Sequence, residues 1–335
     1  MTGTTELVSI LCATRNRAHT LERALLSIRQ QSHQCFEVLV LDDGSDERTF
    51  VEYEQLWTKL DDRFVLHRIR PSGSRGAGPS QARNFGIPLA KGTYVTFLDD
   101  DDWWSGDDHL AVAVKTMAAT GADYYFANMQ GVRGEDTVIA DWYHDAPLLT
   151  RGPRVYETPR VYEVPLAAFV RVMQHHLVHP DVAVVRRDLL TAVGGFFERV
   201  VFGEDYDLMM RLVDKARLIL YRPDVTVSYR LPTGDSISLT ESKQDQTLQR
   251  LSCTQHVRTK CTNPLVRRCA RAREAWSLRE LADDLAAKKR PRSALSFAWQ
   301  AFCAYPTLGA GLFLSRSLAR AASGDLTADS GNTPR

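Results

Sequence analysis

The first part of the chain alternates short apolar runs with segments that carry apolar residues at helical spacing. Residues 7–14 (LVSILCAT) and 36–41 (FEVLVL) have the length of buried strands, and residues 20–31 (TLERALLSIRQQ) repeat an apolar side chain every three or four positions. This order continues to about residue 130 and predicts an open, mostly parallel α/β sheet flanked by helices. Ligands of such sheets bind beyond the carboxyl ends of the strands, so candidate site residues are expected there.

The same patterns predict further elements. Residues 46–60 and 81–90 are predicted helices, the first with Ser45 as its N-cap, and residues 217–231 are predicted to form two short strands. His175 and His179 in HHLVH are spaced for one helical face. Because the glutamate of an HExxH motif is missing, an ordinary histidine pair is favoured over a metal site.

The pattern of elements also divides the chain. Residues 1–235 contain the predicted sheet, residues 236–322 contain predicted helices only, and residues 323–335 are predicted to be a disordered tail.

Four consecutive aspartates, Asp99 to Asp102, follow the apolar residues 94–98. Two like charges about 4 Å apart repel by roughly 1 kcal/mol in water and by about 4 kcal/mol at a protein-like dielectric. A divalent cation would offset this repulsion, and Mg²⁺ and Mn²⁺ prefer oxygen ligands. The alternative, acidic residues that cap a helix, accounts for one or two of these carboxylates but not for four.

Two other segments could contact a nucleotide. The turn over residues 42–45 (DDGS) could bind a base or a ribose through a carboxylate, or could simply be a turn. The loop over residues 70–84 could bring backbone amides and arginines to a phosphate, or could remain solvated. Its basic residues are Arg70, Arg75 and Arg83.

Glu204 and Asp205 stand at the predicted start of a helix. Acidic side chains are favoured there by the helix dipole, which is the structural interpretation. The functional interpretation is a carboxylate placed as a general base.

Composition argues against several classes of function. The net charge of +1 gives no electrostatic basis for binding nucleic acid, and no apolar run approaches the roughly 20 residues of a membrane span. The N-terminus has no basic segment before its apolar run, so no signal peptide is expected. The six cysteines form no C-x-x-C pair, and we expect reduced thiols in a cytoplasmic protein.

The C-terminal helical region is basic. Residues 256–300 contain eleven Lys or Arg and four acidic residues, an excess of +7. A solvated helical face is the ordinary interpretation, and a peripheral contact with anionic lipid is the alternative. The apolar residues 294–314 could be core, a homo-oligomer interface or an interfacial membrane contact.

Three stretches together resemble the family 2 glycosyltransferases, which have the GT-A fold. They are residues 8–49 (VSILCATRNRAHTLERALLSIRQQSHQCFEVLVLDDGSDERT), 78–104 (GPSQARNFGIPLAKGTYVTFLDDDDWW) and 194–212 (GGFFERVVFGEDYDLMMRL). The resemblance covers residues 7–231. It implies a catalytic domain over 1–235, with a nucleotide-binding half over 1–130 and an acceptor half over 131–235.

The resemblance implies roles for individual residues. Arg83 would face the diphosphate of the donor. The metal-binding D-x-D would fall on Asp99 and Asp101, with Asp102 as an alternative ligand. Asp100 takes the variable position, on the donor side. The base and the ribose would be held by Ala13, Thr14, Arg15, Asn16 and Asp43.

The family's Glu-Asp pair falls on Glu204 and Asp205, with Asp205 as the implied general base. The implied reaction moves a sugar from a nucleoside-diphosphate donor, with UDP or dTDP favoured, to an acceptor hydroxyl with inversion and with Mn²⁺ or Mg²⁺. The acceptor would be a glycan, a lipid-linked molecule or a small molecule. Its expected contacts are Trp103, Trp104 and His179, although both tryptophans could equally be core.

Two alternatives remain beside this interpretation. A sugar-phosphate nucleotidylyltransferase would have a glycine-rich loop after its first strand, whereas residues 13–20 (ATRNRAHT) contain no glycine. A non-catalytic binding module would have lost acidic residues, whereas every acidic position is filled.

Overall fold

The computed structural model describes residues 6–232 and 241–328. The chain forms two compact units, Met1–Asp235 and Ser236–Arg335. The sheet belongs to the first unit, and the described part of the second unit is helical.

One mixed sheet organises the first unit. Its strands are β1 (Val8–Thr14), β2 (Phe36–Asp42), β3 (Phe64–Arg68), β4 (Tyr94–Phe97), β5 (Trp103–Trp104), β6 (Tyr124–Arg133), β7 (Asp136–Ile139), β8 (Arg154–Tyr156), β9 (Val161–Glu163), β10 (Ala183–Arg186) and β11 (Ile219–Arg230). Their order is β3-β2-β1-β4-β10-β6-β11-β9-β8, with β5 paired to β11 and β7 to β6. The first four strands of this order are parallel, β10 is antiparallel to both neighbours, and β6 and β11 are parallel. The predicted α/β class is confirmed.

Helices follow the strands as the sequence pattern predicts. Those of the first unit are α1 (Ala18–Arg29), α2 (Glu47–Trp57), α3 (Pro79–Gly86), α4 (His109–Thr120), α5 (Leu166–Val172), α6 (Arg187–Val193) and α7 (Glu204–Lys215). Those of the second unit are α8 (Lys243–Lys260), α9 (Pro264–Ala287), α10 (Pro291–Ala304) and α11 (Leu308–Ala328). The predicted apolar face of α1 is buried through Leu21, Leu25 and Ile28.

Burial explains the apolar runs that mark the strands. β1 and β2 are buried along nearly their whole length, as strands in the parallel part of a sheet are when both faces are covered. α3 begins with Pro79, whose missing N–H costs nothing at the first helical position.

Three local predictions are wrong. The N-cap of α2 is Asp46, whose carboxylate accepts the Thr49 amide (2.9 Å), because Ser45 bonds to Asp42 instead. Residues 217–231 form one long strand, not two, and its register shifts around Pro223, which has no N–H to donate.

The third wrong prediction concerns the two histidines. α5 ends at Val172, so His175 and His179 do not share a helical face. His179 is extended because it precedes Pro180, and a residue before proline disfavours the helical conformation.

The C-terminal part of the described chain ends in α11, which continues to Ala328 and so passes residue 323, where the sequence predicts disorder. Residues 329–335 of that predicted tail lie outside the described residues. Across the two described ranges, we find no helix with the length and apolar character needed to traverse a bilayer. All six cysteines are described, and none is in a disulfide.

Candidate active site

The carboxyl ends of β1, β2 and β4 meet at one edge of the sheet. The register pairs Thr14 of β1 with Asp42 of β2, and Leu11 of β1 with Phe97 of β4. The turn after β2 and the aspartate run after β4 therefore open on the same edge, as the sequence predicts for a parallel sheet.

Asp99, Asp102, His179 and Asp181 lie together at this edge, with one potential ligand atom of each within 4.8 Å of the others. A turn after β4 brings the first two together, because the Asp102 amide donates to the Asp99 carbonyl (3.2 Å). The other two precede β10, the neighbour of β4 in the sheet. The Asp99 amide donates to the Asp181 carboxylate (3.2 Å), which joins the two segments.

The donor set of this group fits a hard divalent cation. It offers three carboxylates and an imidazole, which are ligands that Mn²⁺ and Mg²⁺ accept. Within the described part of the chain, the buried Asp102 Oδ2 has no hydrogen-bond partner, and the buried Asp181 Oδ2 has only the ion pair with His179 Nδ1 at 3.5 Å. Burying a carboxylate oxygen without a hydrogen bond costs free energy, and a cation would remove that cost.

The charges of the group shift its pKa values. Burial lowers the pKa of His179, but the Asp181 and Asp99 carboxylates outweigh burial and raise that pKa to about 10. Burial raises the pKa of Asp102, and Asp181 raises it further. Burial raises the pKa of Asp181, but His179, Asp102 and Arg83 together outweigh burial, and the pKa falls below its usual range. Without a cation, a protonated His179 supplies positive charge to the group, and its imidazole would release that proton on binding a cation.

Arg83 connects this group to the start of α7. The guanidinium is only 3% exposed; it hydrogen-bonds the Asp99 carboxylate, and its Nη1 lies 3.6 Å from Asp205 Oδ1 and 3.8 Å from Glu204 Oε1. Burial lowers the pKa of Arg83, but Asp99 and the two α7 carboxylates outweigh burial and raise it. The structure thus brings together four residues to which the resemblance assigns roles, namely Arg83, Asp99, Glu204 and Asp205.

Both α7 carboxyls have raised pKa values. Burial is the largest cause for each, and it brings the pKa of Glu204 to about 8 with the help of the neighbouring Asp205. Burial also raises the pKa of Asp205, although Arg83 and His179 act in the opposite direction. The two carboxyls thus stand at the same helix end, but different charged neighbours act on their pKa values.

The other two aspartates of the run face Arg17. Its Nη1 lies 3.1 Å from Asp100 Oδ1 and 3.2 Å from Asp101 Oδ2, and Arg230 Nη1 lies 3.9 Å from the same Asp101 oxygen. Burial raises the pKa of Asp100 to about 7, against the effect of Arg17. Asp102 thus belongs to the group with Asp99, His179 and Asp181, whereas Asp101 pairs with Arg17, and the D-x-D assignment to Asp99 and Asp101 stays a prediction.

Sequence reasoning missed Asp181 and Arg17. Asp181 is completely buried beside the candidate metal group, yet in the sequence it is a lone aspartate after a proline. Arg17 stands between the first strand and α1, inside the stretch ATRNRAHT, where no pattern distinguishes it from the neighbouring Arg15. Asp181 can be assigned to this site only when the order of the strands is known, because that order places the segment before β10 beside β4.

The residues expected to hold the base and ribose bind a loop in this structure. Asp43 accepts the amides of Ala77 (2.7 Å) and Gly78 (2.8 Å) and the Nε of Arg70 (3.0 Å). Arg15 donates to the Ser74 carbonyl (3.0 Å). Asp43 and Arg15, two of the predicted donor-site residues, therefore hold the loop over residues 70–84 at the end of β2 by hydrogen bonds.

The remaining members of the predicted wall have local roles. Asn16 has a positive φ of 55°, and its side-chain oxygen accepts the Asp46 amide (2.8 Å) at the start of α2. Thr14 is buried, and its carbonyl accepts the Asp43 amide (3.0 Å). Ala13 is half-buried in β1 beside them.

The two tryptophans after the aspartates differ. Trp104 is buried, donates its indole N–H to the Asp181 carbonyl (3.1 Å) and packs on His109, so it is a core residue. This is the core alternative that the sequence left open, and it removes Trp104 from the expected acceptor contacts. Trp103 is half-buried, with the Arg23 guanidinium 3.3 Å from its ring centroid.

Comparison with known proteins identifies similar chains. The model of the family described as "Glycosyl transferase family 2" matches residues 9–192. An uncharacterized glycosyltransferase of Haemophilus influenzae is 31% identical over 129 residues, which are 37% of this chain and 50% of that protein. The putative teichuronic acid biosynthesis glycosyltransferase TuaG of Bacillus subtilis is 29% identical over 150 residues, which are 45% of this chain and 57% of that protein. The match thus spans about half the length of these relatives.

Solved structures show the same fold. S. aureus TarS 1–349 in complex with UDP-GlcNAc has a TM-score of 0.67 at 18% identity, covering 98% of this chain and 93% of that one. The mannosyltransferase PcManGT from Pyrobaculum calidifontis, in complex with GDP-Man and Mn²⁺, has a TM-score of 0.55 at 19% identity, covering 94% and 80%. At such identities the likeness shows the fold, which confirms the GT-A expectation. Since the family model matches more than half of the chain, the protein belongs to glycosyl transferase family 2.

Proposed function

We propose that the protein moves a sugar from a nucleoside-diphosphate sugar to an acceptor hydroxyl, with inversion at the anomeric carbon. The observation that carries this proposal is the buried Arg83, which pairs with Asp99 after β4 and with Asp205 at the start of α7. The reaction needs positive charge where the diphosphate leaves and a carboxylate where the hydroxyl loses its proton. A single guanidinium joins the residues suited to these two tasks.

A divalent cation, Mn²⁺ or Mg²⁺, is part of the proposal. Asp99, Asp102 and His179 would hold it, with Asp181 behind them, and the bound cation would supply charge stabilisation to the leaving diphosphate. The complex of PcManGT with GDP-Man and Mn²⁺ supports a cation in this fold. Asp101, the ligand implied by the D-x-D pattern, is the competing candidate.

Asp205 is proposed as the general base. Its raised pKa brings it closer to neutral pH, where a base takes a proton most effectively. Burial and Asp205 raise the pKa of Glu204 to about 8, whereas His179 as well as Arg83 opposes the rise at Asp205, which favours Asp205 as the base of the pair. Attack by the hydroxyl on the face opposite the leaving diphosphate would invert the anomeric carbon.

The donor is proposed to be a UDP- or dTDP-sugar. The complexes of TarS with UDP and with UDP-GlcNAc support uridine. Arg83 would face the diphosphate, and Asp100 would lie on the donor side. For a base to reach Asp43, the loop must first give up the Ala77 and Gly78 hydrogen bonds to that carboxylate.

The acceptor is proposed to be a glycan, a lipid-linked molecule or a small molecule. Trp103 remains its candidate contact, since Trp104 is in the core and His179 is assigned to the cation. A cytoplasmic location is proposed from the sequence, whose six cysteines form no C-x-x-C pair.

Thermal unfolding with UDP, dTDP, GDP, CDP and ADP, each with and without Mn²⁺, tests the donor site. A ligand at 100 times its dissociation constant stabilises by about 2.7 kcal/mol, so we expect UDP or dTDP to raise the Tm in the presence of Mn²⁺ only. Asp99→Asn should abolish this shift. Asp136→Asn, at an exposed position of β7, is the matched control and should retain it.

A second measurement separates an enzyme from a binding module. Purified protein is incubated with the matching nucleotide sugar and Mn²⁺, and the released nucleoside diphosphate is measured with and without candidate acceptors. Release that depends on Asp205 supports the transferase. Binding without any release across glycan, lipid and small-molecule acceptors would favour the binding module.

A further inference from the structure

Helices α10 and α11 carry a row of large apolar side chains that face solvent. Trp299 is 56% exposed, Leu308 92%, Leu312 62% and Leu318 58%. The Trp299 ring lies 6.2 Å from the Phe302 ring, and a Cβ added at Gly311, the residue before Leu312, would lie 3.8 Å from that Phe302 ring. The two helices therefore pack together next to these exposed residues, and exposed apolar side chains gathered in this way mark an interaction site.

The stretch of sequence that contains these residues is purely basic in charge. No acidic residue occurs between Asp284 and Asp325, while this stretch contains six basic ones, namely Lys288, Lys289, Arg290, Arg292, Arg316 and Arg320. Leu308, Leu312, Arg316 and Arg320 follow one another at i+4 along one stripe of α11, and all four are exposed. Like charges four residues apart repel, so the Arg316–Arg320 pair favours a negative surface nearby.

We propose that this Trp–Leu surface, made of Trp299, Leu308, Leu312 and the two arginines of the stripe, lies on an anionic lipid bilayer. Its leucines and tryptophan would enter the headgroup boundary while the arginines bind lipid phosphates. The helices would lie in the interface, since none in the described ranges is suited to span a membrane. The proposal does not depend on the proposed function.

The two other partners fit less well. A second copy of the chain, joined by a two-fold axis, would set the same basic stripe against itself, and like charges would meet. A nucleic acid would use the arginines but would leave the leucines without apolar contact. Because leucines and arginines lie on one stripe of α11, a lipid bilayer is favoured over a second copy of the chain and over a nucleic acid.

Sedimentation of the full chain with vesicles tests this inference. One set of vesicles is phosphatidylcholine alone, and the other also contains phosphatidylglycerol. We expect binding to the anionic vesicles that is at least about tenfold tighter and that weakens as salt is added. Failure to bind anionic vesicles at low salt would overturn the proposal, as would equal binding to both sets.

Two double variants and two matched controls locate the surface. Leu308→Ser with Leu312→Ser, and Arg316→Gln with Arg320→Gln, should each weaken vesicle binding by about tenfold or more. The controls replace exposed residues elsewhere in the second unit: Leu248→Ser with Leu265→Ser on α8 and α9, and Arg267→Gln with Arg271→Gln at the same i+4 spacing on α9.

The controls should bind vesicles as the parent protein does. Equal loss in the controls would show that charge or apolar content in general, not this surface, causes binding. A concentration-dependent dimer that the α11 variants dissociate, without vesicle binding, would assign the surface to a second copy. Tighter binding to single-stranded RNA than to anionic vesicles would assign it to nucleic acid.

Discussion

The Nη1 of Arg83 lies 3.6 Å from the Oδ1 of Asp205, although α3 carries the first residue and α7 the second. The same buried guanidinium hydrogen-bonds Asp99 after β4. One side chain thus fixes the distance between the strand-end aspartates and the helix that opens with Asp205. Because these side chains are buried, removing one of them is expected to destabilise the fold, since the others would be left as uncompensated charges.

Replacing Arg83 should therefore affect both folding and transfer. Arg83→Ala is expected to lower the free energy of unfolding by about 3 kcal/mol, since it leaves buried carboxylates unpaired. Arg83→Lys should recover part of the stability but little of the transfer rate, because an ammonium cannot bond several carboxylates as a planar guanidinium does. Urea unfolding and the rate of diphosphate release measure the two effects. Arg133→Ala, at an exposed position at the end of β6, is the control and should change neither.

Asp205→Asn should abolish transfer while nucleotide binding persists. The amide keeps the shape of the side chain but cannot take a proton, so the rate should fall by about 10² to 10⁴. The measurement compares kcat with the dissociation constant of UDP in the presence of Mn²⁺. Glu204→Gln, one residue away, should reduce kcat far less, because Glu204 is already largely protonated near neutral pH. Retained turnover in Asp205→Asn would exclude it as the base.

Asp181→Asn should weaken Mn²⁺ binding although the sequence gives this residue no role. It supports both His179 and the Asp99 amide, and loss of such support typically raises the dissociation constant of a metal about 10- to 100-fold. Titration of Mn²⁺ by calorimetry or by electron paramagnetic resonance measures this without an activity assay. Asp101→Asn is the informative comparison. A larger loss of Mn²⁺ affinity there than in Asp181→Asn or Asp102→Asn would restore the D-x-D assignment.

His109 should make the protein sensitive to acid. Burial first, and Arg222 second, lower its pKa from 6.5 to about 3, so the folded protein keeps the ring neutral while the unfolded chain protonates it below pH 6.5. The unfolded state then binds the extra proton, and stability falls by about 1.4 kcal/mol per pH unit as the pH drops from 6.5 toward 3.

Denaturant unfolding at several pH values tests this sign. His109→Phe fills the same space beside Trp104 and should show a shallower loss of stability between pH 6 and pH 4. His175→Phe, at an exposed position, should follow the parent curve. Parallel curves for the parent protein and His109→Phe would contradict the prediction.

Much of the candidate site follows from the amino-acid sequence. The alternation of apolar runs and helical segments predicts a sheet whose strands end near Asp43 and Asp99, and the parallel order brings these ends to one edge. The resemblance to the family assigned roles to Arg83 and Asp205, which the structure joins by an ion pair.

Local predictions were less accurate where a short polar side chain or a proline decides the backbone. Whether Ser45 or Asp46 caps α2 depends on a competing bond from Ser45 to Asp42. The end of α5 and the conformation of His179 depend on the chain that leads to Pro180. Adjacent residues such as Ser45 and Asp46 have similar propensities for the N-cap position. The difference in free energy between them is smaller than the free energy that one such contact contributes.

The amino-acid sequence is enough to predict the α/β class, the strand ends that carry charge and the basic character of the C-terminal helices. Each of these follows from periodicity and composition, which are local properties of the chain. It is the fold that places Asp102 in one group with Asp99 and His179, and that places Asp181 beside both Asp99 and Asp102. The first depends on the direction of a single turn, and the second depends on β10 pairing antiparallel to β4 across more than eighty residues of chain. Contacts between segments so far apart are fixed by the packing of the whole sheet, which no short stretch of sequence encodes.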